Sequence, residues 1–338
     1  MKLLRQLHIR VLVLVVVGTV LLGVGAGLAF ARGNNAAPIG TGVVVVNTNL
    51  AYENGAAAGT GMVLTSSGEV LTNNHVIKGA TSITVVVPGT GHRYSATVVG
   101  YDVSDDVAVL RLTGASNLKT VKISTAKLAV GKAVTALGNA GGTGTLVSAK
   151  GTITGLGKSI TASDDQGGSE QLTGLIETNA ALQPGDSGGP LLDGSGRVLG
   201  IDTAASTGFG FQSIMRTNDA YAIPISKALS IAKAIDSGTA SATVHIGTTA
   251  FLGIQVQSDP YGSGVYIAGV VSGGPADSAG LTAGDEITSV DGQSVSAPSD
   301  VSSLILSEKP GTTIPIVYTD QSGMSQTANV TLGNGPAQ

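Results

Sequence analysis

The sequence predicts a mainly β protein behind an apolar leader, and three observations carry that expectation. Val, Ile and Thr recur in short, often alternating runs, the pattern of buried and half-buried strands. Fifty glycines in 338 residues supply tight turns between those runs. Only 12% of the residues are charged and none is cysteine, so disulfides and thiolate metal sites are excluded. A chain of this length accommodates two or three folding units.

Lys2, Arg5 and Arg10 precede an uncharged run from Val11 to Ala31, closed by Arg32. A helix rising about 1.5 Å per residue crosses a hydrocarbon core of about 30 Å over such a run. The basic leader, residues 1–10, places the N-terminus inside and the rest of the chain outside. Length favours an uncleaved transmembrane helix at 11–31, since secretory cores run about 7–15 residues. Ala29-Phe30-Ala31 favours cleavage by a signal peptidase instead. Residues 1–31 hold three positive charges and no negative one, so the remainder carries −7. No dense Lys/Arg cluster is left in it, which argues against nucleic acid as a partner.

After a linker at 32–41, strands are expected at 42–47, 60–65, 69–72, 82–87, 93–101 and 107–112. A second set follows near 133–137, 144–155, 173–178, 190–193, 197–204 and 220–223. Two six-stranded barrels within 42–236 are the economical arrangement, because closure protects the sheet edges. Ser226 to Ile235 has helical apolar spacing, with Ser237-Gly238 as its stop. Gly138 to Gly144 lacks the Lys-Ser/Thr ending of a phosphate loop and is expected to be an inter-strand loop. A polar linker at 237–247 leads to a smaller unit at 248–335, whose main helix is expected over Pro298 to Leu306.

Chemistry concentrates in Gly185-Asp186-Ser187-Gly188-Gly189-Pro190. Gly185 permits a backbone conformation that a β-carbon hinders, so the Gly185 and Ser187 amides can converge on an oxyanion. A serine hydroxyl needs a base, and the base needs an orienting acid. Among the four histidines, His8 precedes the apolar run, His245 sits in the inter-domain stretch and His92 lies in a solvated turn beside Arg93. His75 ends a short apolar strand, and Asp106 opens an alternating one; Asp102 and Asp105 are weaker candidates for the acid. The order His, Asp, Ser is that of chymotrypsin-like enzymes and differs from that of α/β-hydrolases. With the other histidines scattered, no metal site and no cofactor are expected.

Gly59-Thr60-Gly61-Met62-Val63-Leu64, Leu71-Thr72-Asn73-Asn74-His75-Val76, Asp106-Val107-Ala108-Val109-Leu110 and the serine motif together resemble the HtrA/Deg family of serine proteases. Gly200-Ile201-Asp202-Thr203-Ala204 and Ala222-Ile223-Pro224 add to that likeness. It implies a chymotrypsin-like double β-barrel followed by a PDZ domain, with His75 as general base, Asp106 as its orienting carboxylate and Ser187 as nucleophile. Phe251, Leu252, Gly253 and Ile254 resemble the carboxylate-binding loop of PDZ domains, which take up C-terminal peptides as an added strand. The resemblance implies a homotrimer built on aromatic residues, yet Tyr52 is the only aromatic in 33–60.

Ala180, Ala181 and Leu182 are expected to line the first specificity pocket, with no carboxylate at its base, which suits a small or medium aliphatic side chain. Asp202 lies near this region without an assigned place. Asp186 departs from the family's usual Asn and is expected to bond within its own loop. The implied function is a membrane-anchored, envelope-facing endopeptidase acting on misfolded or unfolded proteins. The alternative is a non-catalytic sensor or scaffold working through its PDZ domain.

Overall fold

A computed structural model of the chain describes residues 39–53, 55–163, 169–205, 219–258 and 264–337. The run 11–31, expected as an anchor, lies outside the described residues. Among those described, no helix is long and apolar enough to cross a membrane.

The first barrel contains β1 (Val43–Leu50), β2 (Gly55–Val63), β3 (Glu69–Thr72), the single-turn helix α1 (Asn74–Ile77), β4 (Ser82–Val87), β5 (His92–Asp102) and β6 (Val107–Leu112). Its antiparallel strands run in the order β5-β4-β1-β2-β3-β6, and β6 pairs back onto β5 to close the ring. Alternation along these strands buries Val44, Val46, Val63, Val70 and Leu110 in one cluster. His92 starts β5 and is exposed.

The second barrel is closed from β7 (Ala133–Gly138), β8 (Val147–Ser163), β9 (Ser169–Thr178), β10 (Pro190–Leu192), β11 (Val198–Ala205) and β12 (Ala220–Pro224), in the order β10-β11-β12-β9-β8-β7. The β8–β9 hairpin reaches well beyond the expected strand ends, and three register shifts bend it on the way. Val134, Ile153, Ile176, Leu191 and Leu199 fill the interior. Helix α2 (Ile225–Asp236) buries Ile225, Ala228, Ile231, Ala232 and Ile235, one face at helical spacing. That face joins Met62, Leu71 and Val107 of the first barrel to Ile201 and Ile223 of the second in a shared core.

Part of the expected linker is a strand. β13 (Val244–Ile246) pairs with β5 in the register Val244↔Asp102, His245↔Tyr101, Ile246↔Gly100. Gly100 makes room for it, since a β-carbon there would sit 2.5 Å from the His245 carbonyl oxygen. The His245 ring stacks on Tyr101 at 5.0 Å, a packing role.

The C-terminal unit comprises β14 (Thr249–Phe251), β15 (Ile254–Ser258), β16 (Val265–Val270), α3 (Pro275–Ser278), β17 (Glu286–Val290), β18 (Gln293–Ser294), α4 (Pro298–Ser307), β19 (Thr313–Thr319), β20 (Ser325–Thr331) and β21 (Gly333–Gly335). Its main sheet has the order β15-β16-β17-β19-β20, and β14 pairs separately with β21. Val265, Ile267, Ile287, Val301, Ile316 and Val330 belong to a core of its own. Pro298 opens α4, and Asp300 Oδ2 accepts the Ala297 N–H at 3.0 Å, which anchors the helix start. Among the described residues β15 pairs only with β16, so its outer edge stays open.

Several contacts among the described residues tie this unit to the first barrel. The Phe251 ring stacks on Tyr52 at 5.0 Å and 12°. Tyr101 and Thr249 share a buried hydroxyl–hydroxyl hydrogen bond of 3.0 Å. Past β21, the Ala337 carbonyl accepts the Gly79 N–H at 2.9 Å.

Candidate active site

The first barrel positions an imidazole and a carboxylate on consecutive structural joints. Asn73 ends β3 in extended conformation, and His75 follows in the single turn of α1. Asp106 stands just before β6 with φ +52, a left-handed value uncommon for a residue with a side chain. The Asn73 Nδ2–H donates to the Asp106 carbonyl at 2.7 Å and braces that conformation. The Asp106 side chain turns back on α1. Its Oδ1 accepts the His75 backbone N–H at 2.9 Å, and its Oδ2 lies 2.8 Å from His75 Nδ1. A carboxylate only accepts, so Nδ1 carries the proton and Nε2 keeps its lone pair. Asp106 is 2% exposed, whereas the His75 side chain is 44% exposed. The imidazole is open and its carboxylate is sealed.

The second barrel contributes the serine and its loop. The backbone N–H groups of residues 183–189 can be followed one by one. Gln183 N–H goes to Asp186 Oδ2 at 2.9 Å, and Asp186 N–H to the Gln183 carbonyl at 3.0 Å. Gly188 N–H goes to the Asp202 carbonyl and Gly189 N–H to the Asp186 carbonyl, at 2.8 and 2.9 Å. Pro184 has no N–H. Only Gly185 and Ser187 keep an N–H that is given to no acceptor among the described residues.

Backbone anchors hold this arrangement. The Pro184 carbonyl accepts the Gly141 N–H at 2.8 Å, and in a trans peptide the Gly185 N–H then points the opposite way. The Gly185 carbonyl accepts the Thr60 hydroxyl at 2.7 Å, and the Ser187 carbonyl accepts the Thr60 N–H at 2.8 Å. Gly185 has φ +98, and a β-carbon built on it would run into the Asn139 carbonyl oxygen. Glycine is required there on both counts.

Thr203 links the two halves. Its carbonyl accepts the Ser187 hydroxyl at 3.2 Å, and its own hydroxyl donates to Asp106 Oδ2. This bond went unforeseen; the only sequence signal was the place of Thr203 in the segment Gly200 to Ala204. Asn73 and Thr60 were likewise present in quoted segments, without a role.

Asp186 does bond within its own loop, yet only through Oδ2; Oδ1 has no protein partner. Asp202, on β11 opposite Ala222, is wholly buried, and neither of its oxygens is hydrogen-bonded. Burial pushes the Asp186 carboxyl above its ordinary range, against the pull of the Gln183 N–H. Burial, and then the charge of Asp186, push Asp202 well above it. Ala180 and Leu182, expected to line a specificity pocket, are instead packed into the second-barrel core at 1% and 8% exposure. Ala181 is exposed and borders a cavity that Asp186 also lines.

In the C-terminal unit, Leu252 is part of the core and Gly253 has φ +81. Their carbonyls accept the Ala276 and Val271 N–H groups at 3.0 and 2.9 Å, and their own N–H groups have no acceptor among the described residues. Ile254 begins the open-edged β15. The Phe251 ring stacks on Tyr52. No group of three or more metal-ligating side chains occurs among the described residues.

Comparison with known proteins agrees with this layout. Residues 59–201 match the trypsin-like peptidase domain and residues 250–332 match the PDZ domain. Serine protease PepD of Mycobacterium tuberculosis is 33% identical over 313 residues, spanning 88% of this chain and 65% of that protein. A probable periplasmic serine endoprotease, DegP-like, of Rhizobium meliloti is 32% identical over 83% of this chain and 54% of its own length. Serine protease Do-like HtrB of Bacillus subtilis is 31% identical, with 78% and 58% covered. The chain thus spans only about half to two-thirds of these relatives. Among solved structures, the HtrA-type protease AlgW with tripeptide superposes with a TM-score of 0.50 at 28% identity, over 88% of this chain and 95% of that one.

Proposed function

We propose that this chain, a trypsin-like peptidase domain joined to one PDZ domain and related to HtrA-type serine proteases, is a serine endopeptidase with an envelope-facing catalytic part. Ser187 attacks the peptide carbonyl, His75 Nε2 takes its proton and returns it to the leaving amine, and Asp106 holds the imidazole tautomer. The Gly185 and Ser187 N–H groups receive the oxyanion. One observation carries the reading: within residues 183–189 only those two N–H groups are left unspent, on either side of a buried carboxylate and beside the serine hydroxyl.

The PDZ domain takes C-terminal peptides. The free N–H groups of Leu252 and Gly253 receive the terminal carboxylate, and the open edge of β15 pairs with the peptide backbone. Unfolded or misfolded polypeptides are the proposed substrates, since they expose both extended backbone and stray C-termini. The apolar run 11–31 serves as membrane tether, and the homotrimer implied by the family resemblance completes the proposal.

The test uses the full chain with a fluorophosphonate probe and denatured casein, beside Ser187→Ala. Labelling and cleavage in the parent should fall by about 10⁴–10⁶ in the variant. Equal labelling of both proteins sinks the assignment, and an inert parent that still binds C-terminal peptides turns the reading to a scaffold.

A further inference from the structure

The stretch 107–163 carries seven Lys or Arg residues and no Asp or Glu, although the chain beyond residue 31 has a net charge of −7. Two of the seven are spent, Arg111 on Glu69 and Lys158 on Glu177. Lys119, Lys122, Lys127 and Lys132 fall in the segment 113–132 that joins the barrels. None of these four forms an ion pair among the described residues. Lys119, Lys122 and Lys127 are exposed, and so is Val130, an apolar side chain at 63%.

The fold gathers this charge. The Lys122 carbonyl accepts the Val198 N–H at 2.8 Å, which brings the exposed Arg197 beside the segment. Asp193 offsets one of the five; its oxygens accept the Ser124 hydroxyl at 2.6 Å and the Arg197 N–H at 3.1 Å. The chain also enters the fold here. Gly42 packs so closely on the Thr120 and Val121 backbone, between Lys119 and Lys122, that a β-carbon would not fit. Ile39, three residues earlier, is 67% exposed. Ten residues, 32–41, separate Gly42 from the apolar run, and fully extended they span at most about 35 Å. With the run 11–31 in a bilayer, that length keeps Gly42 and the lysines beside it near the headgroups.

The chemistry of the patch selects its partner. Lysines are compact charges on flexible stems, suited to many scattered phosphodiesters rather than to one bidentate ligand. A lipid surface supplies such charges and takes up a lone apolar side chain such as Val130 at its boundary. A nucleic acid fits less well, because 113–132 has no aromatic side chain to stack on a base.

We propose that Lys119, Lys122, Lys127 and Lys132, with Arg197, form a docking surface for anionic phospholipid headgroups, which lays the protease domain against the membrane. The proposal deepens the proposed function and rests on its membrane tether.

The experiment uses the full chain in vesicles. The chain has no cysteine, so Ala126→Cys gives a unique position for a dye. Energy transfer from that dye to a headgroup-labelled lipid reads the approach of the segment to the bilayer. Transfer should be higher in phosphatidylglycerol than in phosphatidylcholine vesicles. It should fall toward the phosphatidylcholine level in about 1 M salt, where the screening length is about 3 Å. Lys119→Gln, Lys122→Gln and Lys127→Gln together should lower the docked-to-undocked ratio about 100-fold. Val130→Ser should lower it about 3-fold to 10-fold.

Equal transfer in the two lipids overturns the proposal, as does high transfer that the triple variant keeps. A response to soluble polyphosphate but not to anionic vesicles also overturns it and assigns the lysines to a soluble polyanion. If alkaline carbonate extracts the chain from the vesicles, the tether falls and flotation decides the proposal. Co-flotation with phosphatidylglycerol vesicles that the triple variant loses supports it, and no co-flotation overturns it. These readings do not depend on catalysis, so a failure of the endopeptidase assignment shows separately, in the fluorophosphonate test.

Discussion

Two buried carboxylates of the first barrel, Asp102 and Asp106, are treated differently from two of the second, Asp186 and Asp202. Asp102 and Asp106 are each 2% exposed, and Asp186 and Asp202 are 4% and 0% exposed, so burial does not separate them. Hydrogen bonding does. Asp102 accepts the Asp105 N–H at 3.0 Å and the Thr243 hydroxyl at 2.9 Å, one on each oxygen. Asp106 accepts from His75 twice and from Thr203. The second pair shares one donor between four oxygens. The histidine half of the site is therefore held by charge-assisted hydrogen bonds that are present before any substrate arrives. The serine half is held by backbone bonds around an electrostatic debt. Conditions and ligands that change charge should act on the second barrel first.

Four substitutions test that contrast, from the largest effect down. Asp106→Asn disturbs the imidazole tautomer and should lower kcat by about 10⁴, with fold and substrate binding retained. A loss of only a few-fold in casein turnover would mean that Asp106 does not orient the base. Gly185→Ala forces a β-carbon toward the Asn139 carbonyl at φ +98. It should cost about 10²–10³ in kcat by turning the Gly185 N–H away, and should lower the melting temperature as well. An unchanged kcat would remove Gly185 from the oxyanion site. Thr203→Val deletes the hydroxyl shared by the two halves but keeps the carbonyl that accepts from Ser187. Steady-state kinetics should show about a 10–100-fold fall in kcat, with KM little changed.

Asp202→Asn should act on stability more than on chemistry. A carboxyl raised in the fold contributes stability while it holds its proton, and that contribution is lost as pH climbs from the ordinary carboxylate value near 4 through the raised one. Asn has no proton to lose. The variant should match the parent near pH 3 and melt a few degrees higher at pH 8, as read by calorimetry. A variant that melts lower at pH 8 would show that Asp202 is paired in solution and that the contrast between the barrels is false.

Much of this was legible in the sequence because it rests on local pattern. The twelve barrel strands announced themselves by β-branched runs between glycine turns, and α2 by its apolar spacing from Ile225 to Ile235. His75, Asp106 and Ser187 were singled out by their neighbours in the chain. What escaped depends on register and on distant partners. β13 is three residues long in a polar setting, too short for alternation to show, and its partner β5 lies more than 140 residues earlier. Ala180 and Leu182 precede the serine closely, but sequence proximity does not say which way a side chain points, and both turn into the barrel core. Thr203 could be noticed as part of a segment. That its hydroxyl reaches Asp106 while Asp202 beside it is orphaned depends on the bulged pairing of β11 with β12.

The bond from Gly79 N–H to the Ala337 carbonyl bears on the timing of assembly. Ala337 is 5% exposed and sits in the core cluster of the first barrel, two hundred and more residues after the last strand of that barrel is made. During synthesis the first barrel can form its ring, but the backbone just after the His75 turn waits for this late segment to arrive. Contacts so distant in sequence are slow to form. The helix that carries His75 thus receives one of its last neighbours only when residue 337 has left the ribosome. Such an order delays full assembly of the site until the C-terminal unit has been built.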